Sequence, residues 1–198
     1  MSPALEVHPL VPERWDDLVS LFGPSGAFGH CWCTWWRQKG SEFSQGIEDQ
    51  GVGNCALLKS LTDARAVPGL IGYREGQAVA WVSVAPRPDY GRVLRSPSLG
   101  PGRRSPDAAD PSVWSVVCFW MPPRERGKGF ATLLLDAAID HARAGGAQVL
   151  EAYPVDTAGG RQPTPNLFTG TLGMFRRAGF HEVERRTDGR PIVRLTLA

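Results

Sequence analysis

The sequence predicts one α/β domain built on a single mixed, mostly antiparallel sheet, with a parallel pair of strands at its centre and helices on its flanks. Three adjoining features carry that prediction. The run Val113-Trp114-Ser115-Val116-Val117-Cys118-Phe119-Trp120-Met121 is apolar, β-branched and aromatic and stops at Pro122-Pro123, as a central strand buried on both faces does. Downstream, Ala131, Leu134, Leu135, Ala138 and Ala142 recur at helical spacing, with Thr132, Asp136, Asp140 and Arg143 on the other side, so an amphipathic helix covers the sheet until Gly145-Gly146 ends it. Ala147-Gln148-Val149-Leu150-Glu151-Ala152-Tyr153 returns as the next strand, and the crossover through the helix makes the two strands parallel.

The remaining elements follow from local pattern. Leu5 to Leu10 alternates as an opening edge strand, and Pro12 turns the chain into a helix from Glu13 to Phe22. His30-Cys31-Trp32-Cys33-Thr34-Trp35-Trp36-Arg37 holds three of the seven tryptophans and reads as a helical segment packing its apolar residues. A second helix runs from Cys55 to Ala64 on the face of Ala56, Leu57, Leu58 and Leu61, and Pro68-Gly69 introduces a hairpin of Leu70 to Tyr73 and Ala78 to Val84.

Residues 86–111 shift to Pro, Arg, Ser, Gly and Asp and read as a long surface loop. Both of its sides are needed for one sheet, so it lies within a domain that spans 1–198. Its Arg87, Arg92, Arg95, Arg103 and Arg104 are either solvated or within reach of an anionic ligand such as a CoA phosphate. Pro154 to Asn166 is a second polar insertion. Thr169 or Thr171 then caps a short helix through Phe175 to Ala178, Gly179 ends it, and Glu182 to Arg185 with Ile192 to Leu197 closes the chain as a hairpin about Asp188-Gly189.

Whole-chain properties narrow the function classes. With 198 residues and 42% hydrophobic content, the chain suits one well-packed domain. A formal net charge of +2 gives no basis for nucleic-acid binding or attraction to a membrane surface. No apolar stretch approaches membrane-spanning length and no basic segment precedes an apolar run at the amino terminus, so a cytoplasmic location is expected. Four cysteines, two of them separated by one residue, do not form a disulfide framework and are expected as reduced thiols. His30, Cys31 and Cys33 lack zinc-ligand spacing, and no metal is expected; the segment is read as packing, with a reactive thiol or a metal as the other possibilities.

The turn between the central strand and its helix is built to hold an anion. Gly127 and Gly129 permit positive φ, so successive N–H groups can converge at the positive end of the helix that follows. It is not a P-loop, because Lys128 lies between the glycines with no Ser or Thr after a Gly-Lys pair, and it is not a dinucleotide fingerprint, because Thr132 stands where a third glycine is needed. Arg124-x-x-Gly127-x-Gly129 instead resembles the signature of the GNAT acyltransferase superfamily, which binds the pyrophosphate of acetyl-CoA. The order of elements is similar to the GNAT fold over nearly its full length, and Met174-Phe175-Arg176-Arg177-Ala178-Gly179-Phe180 resembles the family's stretch near its carboxyl end. Cys31-Trp32-Cys33, Glu151 to Asp156 and Thr169-Gly170-Thr171 together look like a bacterial subset of unassigned substrate.

The resemblance implies a fold whose parallel central strands splay apart, and an enzyme that moves an acetyl group from acetyl-CoA to a primary amine by direct attack on the thioester. It implies that Arg126, Gly127, Lys128, Gly129, Phe130 and Ala131 hold the pyrophosphate through their amides and that Phe119 and Met121 flank the pantetheine and thioester. The tyrosine that often protonates the thiolate in this family would fall at Phe175, so Tyr153 is the replacement acid and Glu151, two residues away on the same face, the base. Each has an alternative reading, Tyr153 as a packed aromatic and Glu151 as an ion-paired carboxylate. Trp32 and Trp36 are expected to line the acceptor pocket. A small-molecule or peptide amine is the expected partner, a homodimer is left open by apolar edge strands, and a catalytically silent CoA-binding or ligand-sensing module is the competing reading.

Overall fold

The chain enters through β1 (Glu6–Pro9), a 3-10 turn at Pro12–Arg14 and α1 (Trp15–Phe22), followed by α2 (Gly40–Glu48) and α3 (Val52–Asp63). The antiparallel strands β2 (Leu70–Arg74) and β3 (Gln77–Pro86) lead to α4 (Gly91–Arg95), then to β4 (Val113–Trp120), α5 (Phe130–Ala144) and β5 (Val149–Ala152). A short α6 (Leu172–Arg177) and the pair β6 (His181–Arg185) and β7 (Pro191–Thr196) complete it. This computed structural model describes residues 5–101, 107–160 and 163–197; Arg103 and Arg104 lie outside them.

All seven strands form one sheet in the order β1-β2-β3-β4-β5-β7-β6. The β4–β5 pair is parallel, matching Val113–Val116 to Val149–Ala152, and its neighbours are antiparallel. The mixed, mostly antiparallel sheet that the sequence predicts is therefore the observed one. The outer strand β6 carries His181, Glu182, Glu184 and Arg185, charge that discourages further strand pairing at that edge.

Strand alternation divides the core between two faces. Ala80, Val82 and Val84 join Leu134, Leu135, Ala138 and Ala142 of α5 on one face, whereas Trp81 and Ala85 join Leu18, Phe22 and Leu58 of α1 and α3 on the other. The α5 periodicity read from the sequence is the buried stripe observed at Leu134, Leu135, Ala138 and Ala142, extended by Phe130 and Ile139, while Ala131 is half-buried and lines the cavity described below. Its interior leucines are wholly buried, each worth about 2–3 kcal/mol of transfer free energy.

One irregularity in β4 shapes everything functional. The pairing with β3 slips between Ser83 and Val84, so Val117 is an extra residue opposite no partner. Alternation breaks there, and Val117 and Cys118 both face the α1 side while Val116 and Phe119 face α5. Just beyond, β5 ends at Ala152 while β4 continues to Trp120, and the parallel strands part.

Three segments differ from the sequence expectation. Residues 30–37 are turns rather than a helix, with left-handed backbone at His30, Trp32 and Cys33. Gly26 makes this path possible, because a Cβ there would meet the Trp32 indole at 2.3 Å. Trp32 is held in the core by stacking on Trp15 and by the edge of Phe22, and the buried Asn54 amide donates to the His30 carbonyl at 3.0 Å. Strain at such backbone angles persists only where the surroundings over-determine it. The stretch expected as a long surface loop carries α4 and buries Arg87, Tyr90, Val93 and Leu99. Finally α2 was hidden by its two glycines, of which Gly46 lets Asn54 approach closely.

Candidate active site

Where β4 and β5 part, the splayed edge of β4 presents the Val117 carbonyl and the Phe119 amide. The Trp36 indole N–H donates to the former at 3.1 Å, and the Phe119 N–H donates to the Phe168 carbonyl at 2.6 Å. A cavity of about 1050 Å³ opens here, reaching Met121, Arg126 and Ala131 in one direction and Trp35, Phe43 and Arg92 in the other. Its volume is at the top of the range for a small-molecule pocket, roughly 300–1,000 Å³, which leaves room for two substrates together.

The cavity adjoins the glycine turn through Arg126 and Ala131, which flank it and line the cavity. A 3-10 turn at Pro123–Glu125 leads into Gly127 and Gly129, at φ +76° and +84°, and α5 begins at Phe130. The amides of Gly127, Lys128, Gly129, Phe130 and Ala131 make no hydrogen bond within the described backbone, so five consecutive donors stand at the positive end of a fifteen-residue helix. The turn is stapled from below by Glu125, which is 3% exposed and accepts from Lys128 Nζ at 3.0 Å and Arg74 Nη1 at 2.8 Å. Burial pushes the Glu125 carboxyl up, but the Lys128 bond and the charges of Arg74, Lys128 and Arg124 win and hold it below the ordinary carboxylate range. Lys128 thus shapes the loop through its side chain while its amide stays without a backbone partner. Arg126 donates to the Met121 carbonyl at 3.2 Å and lines the cavity.

The other end is aromatic and contains three thiols. Cys31, Cys33 and Cys118 all line the cavity, and the β4 bulge brings the Cys118 sulfur to 3.3 Å from that of Cys33. The neighbouring Cys33 thiol, together with the backbone amides of Cys33 and Phe28, favours the Cys31 thiolate against the cost of burial and lowers its pKa to about 6. Cys33, wholly enclosed between the other two sulfurs, is pushed well up by those contacts and by burial. Alkylation by iodoacetamide is accordingly expected to be half-maximal near pH 6 at Cys31, with fragment ions showing the Cys33 sulfur of the same peptide unlabelled in the folded protein. A half-maximum above pH 8 in peptide mapping by mass spectrometry would contradict this environment.

The sequence-predicted residues are distributed unevenly. Phe119, Met121, Arg126, Ala131 and Trp36 line the cavity, and Gly127, Lys128, Gly129 and Phe130 form the adjoining turn. Trp32 instead packs inside the α1 face, and Tyr153 and Glu151 lie in a separate buried network. The Tyr153 hydroxyl donates to Glu151 at 2.5 Å and lies 3.1 Å from Ser115 Oγ. Glu151 accepts from Arg87 at 3.2 Å and from Arg194 at 2.8 Å, and both arginines pair with Asp107. Burial, with the Glu151 charge second, raises the Tyr153 pKa well above that of a free phenol. Glu151 borders a small pocket of about 210 Å³ with Asp107 and Arg194, separate from the large cavity. Phe175 is fully buried against Phe119 and Phe180.

Sequence reasoning did not single out Cys118, Trp35, Phe43 or Arg190 for this cavity. Only the bulge, which no residue pattern announces, puts Cys118 on the thiol side. Arg92 and Arg95, left open between solvent and ligand, do line it. No group of three or more potential metal-ligating side chains is assembled among the described residues, and none of their helices is long and apolar enough to cross a membrane.

The model of the acetyltransferase (GNAT) family matches residues 31–174. Among solved structures, the chain is similar to the PaiA N-acetyltransferase of Thermoplasma acidophilum in complex with coenzyme A, at 11% identity and TM-score 0.52 over 98% of this chain and 99% of that one. It is also similar to the ribosomal-protein-S18-alanine N-acetyltransferase of Escherichia coli, at 11% identity and TM-score 0.52 over 98% and 95%. A GNAT family acetyltransferase of Brucella melitensis in complex with acetyl-CoA aligns at 12% identity and TM-score 0.50 over 98% and 89%. These structural likenesses establish the fold. A search of curated proteins gave no significant match.

Proposed function

The chain belongs to the GNAT acetyltransferase family, and from that premise we propose that it transfers an acetyl group from acetyl-CoA to a primary amine by direct attack of the amine on the thioester. The observation that carries this reading is the row of five unpaired amides, Gly127 to Ala131, beside a cavity that Arg126 and Ala131 line and that continues along the splayed strand through Cys118 to Met121. Converging backbone donors at a helix N-terminus suit the pyrophosphate, and Arg126 adds a positive charge at the same mouth. Phe119 and Met121 supply apolar walls beside the pantetheine. Acetyl-CoA, when bound, supplies the activated acyl group.

The chain's own work is then to bind, orient and dry the two reactants. Trp36 is fixed by its bond to Val117 and presents its indole face to the acceptor side. Trp36→Ala is expected to raise the acceptor KM by about tenfold, since a buried aromatic face is worth a few kcal/mol at most, while leaving acetyl-CoA affinity unchanged. An equal loss of both affinities would move Trp36 out of the acceptor site. Cys31, the lining group with a proton affinity near neutrality, can accept the proton that the amine loses. A departing thiol with an ordinary pKa of about 8.5 leaves as thiolate without a dedicated acid.

In this reading Tyr153 and Glu151 are scaffolding rather than acid and base. A catalytically silent CoA-binding or ligand-sensing module has two observations in its favour: Phe175 has no hydroxyl, and no Asp, Glu, His or Tyr of the described residues lines the cavity. The deciding experiment is an amine panel with saturating acetyl-CoA, followed by chromatography of free CoA and acetylated product. Turnover of any primary amine excludes the silent module, and binding of acetyl-CoA without turnover across the panel excludes the enzyme.

A further inference from the structure

We propose that the acceptor is a primary amine with an apolar or aromatic body and an anionic group of the carboxylate class, and that Arg92 and Arg95 hold this anion at the Trp35 end of the cavity. The inference rests on the acyl-transfer reading above and adds the class of acceptor.

The first observation is charge. Lys39, Arg92, Arg95, Arg126 and Arg190 line the cavity, and no carboxylate of the described residues does. In a chain whose formal net charge is only +2, five cationic side chains against the single Cys31 thiolate make a local excess of positive charge that does not reflect composition. Arg92 and Arg95 are three apart on α4 and so neighbours on one helix face, a like-charge pair that is unfavourable without a counter-charge. Neither meets a carboxylate of the described residues; Arg92 Nε donates to the Trp35 carbonyl at 2.6 Å and Arg95 Nη2 to the Gln38 carbonyl at 3.3 Å.

The second observation is an orphaned donor. Arg92 Nη2 is buried and has no hydrogen-bond partner. Buried donors are almost always satisfied, and leaving one unmade is costly. The guanidinium is also fixed, lying 3.7 Å from the Trp35 ring centroid, with that ring braced by Phe43 at 4.9 Å. A guanidinium so held is a preorganised fork for a planar carboxylate. Burial and, next, the Arg95 charge already lower the Arg92 pKa, and an anion bound between them would relieve both penalties.

The third observation concerns the rest of the acceptor. Phe28 and Trp35 are two of the exposed large apolar side chains of the protein, at 66% and 38%, and both lie on this cavity. An acceptor with an apolar body would cover them. The anchor of α4 is also rigid: the Arg92 backbone N–H donates to the Trp36 carbonyl at 2.9 Å, tying the helix that carries both arginines to the aromatic loop.

The same chemistry could serve a phosphate of CoA, and the test separates the two sources. Full-length protein saturated with CoA is titrated calorimetrically with 4-(aminomethyl)benzoate against benzylamine, and with 6-aminohexanoate against hexylamine. The carboxylate of each pair is expected to bind on the order of tenfold or more tightly, as a charged hydrogen bond implies. Arg92→Gln and, independently, Arg95→Gln are expected to erase that preference with CoA affinity unchanged. Equal binding within both pairs, or no binding by either carboxylate, overturns the proposal. It is equally overturned if the variants weaken CoA but not dephospho-CoA, which would assign the arginines to the 3′-phosphate. Failure of the wild-type protein to bind CoA would instead remove the acyl-transfer reading, and this proposal with it.

Discussion

Glu151→Gln is expected to lower stability by about 3 kcal/mol while the folded protein keeps its acetyl-transfer rate. Glu151 is 2% exposed and serves two arginines and a tyrosine at once, and Arg87 is wholly buried. Removing the charge of one partner of a buried ion pair leaves the other uncompensated, at a typical cost of about 3–5 kcal/mol. Asp107 remains within 3.2 Å of Arg87, which places the expectation at the lower end. For a chain of this length the corresponding fall in Tm is about 10 °C. A general base would behave in the opposite way, losing roughly 10²–10⁴ in rate with little change in Tm. Calorimetry and steady-state kinetics on one preparation therefore separate scaffold from catalyst.

Gly127→Ala and Gly129→Ala are each expected to weaken acetyl-CoA binding by about tenfold, and together by about a hundredfold. Both residues are left-handed, and a Cβ on either would meet nothing within 4 Å. The penalty is thus conformational only, about 1–2 kcal/mol per residue. The exposed loop can shed that strain by rotating its peptides, which turns the amides of 127–131 away from convergence, so the cost appears in affinity rather than in Tm. An unchanged dissociation constant in the double variant would show that the pyrophosphate is bound elsewhere.

What was legible in the sequence and what was not divides along local and long-range physics. The Val113 to Met121 run, the α5 stripe and the glycine turn are determined by residues adjacent in sequence, and the parallel pair and the left-handed glycines ahead of α5 were legible from them. Trp36 and Trp32 were expected at a pocket only through the family resemblance; Trp36 lines the cavity, whereas Trp32 packs inward because Gly26 admits its ring. Glu151 and Tyr153 do share a face as strand alternation requires. Which face that is depends on Arg87, sixty-four residues away from Glu151 in a stretch that reads as loop. The bulge at Val117 has no signature in residue type, yet it brings Cys118 to Cys33 and opens the splayed edge to Trp36. Arg92 and Arg95 looked like solvated loop charges because α4 is short and its hydrophobic anchors, Tyr90, Val93 and Leu99, are spread among Pro, Ser and Gly.

The measurement closest to the central claim is native mass spectrometry of the full-length protein with added acetyl-CoA, repeated on the Gly127→Ala/Gly129→Ala variant. The account predicts one acetyl-CoA per chain for the wild-type protein and its loss from the variant at the same concentration. A wild-type spectrum without bound acetyl-CoA, or a variant that binds as well as the wild type, would contradict the assignment of the Gly127 to Ala131 amides as the seat of the acyl donor.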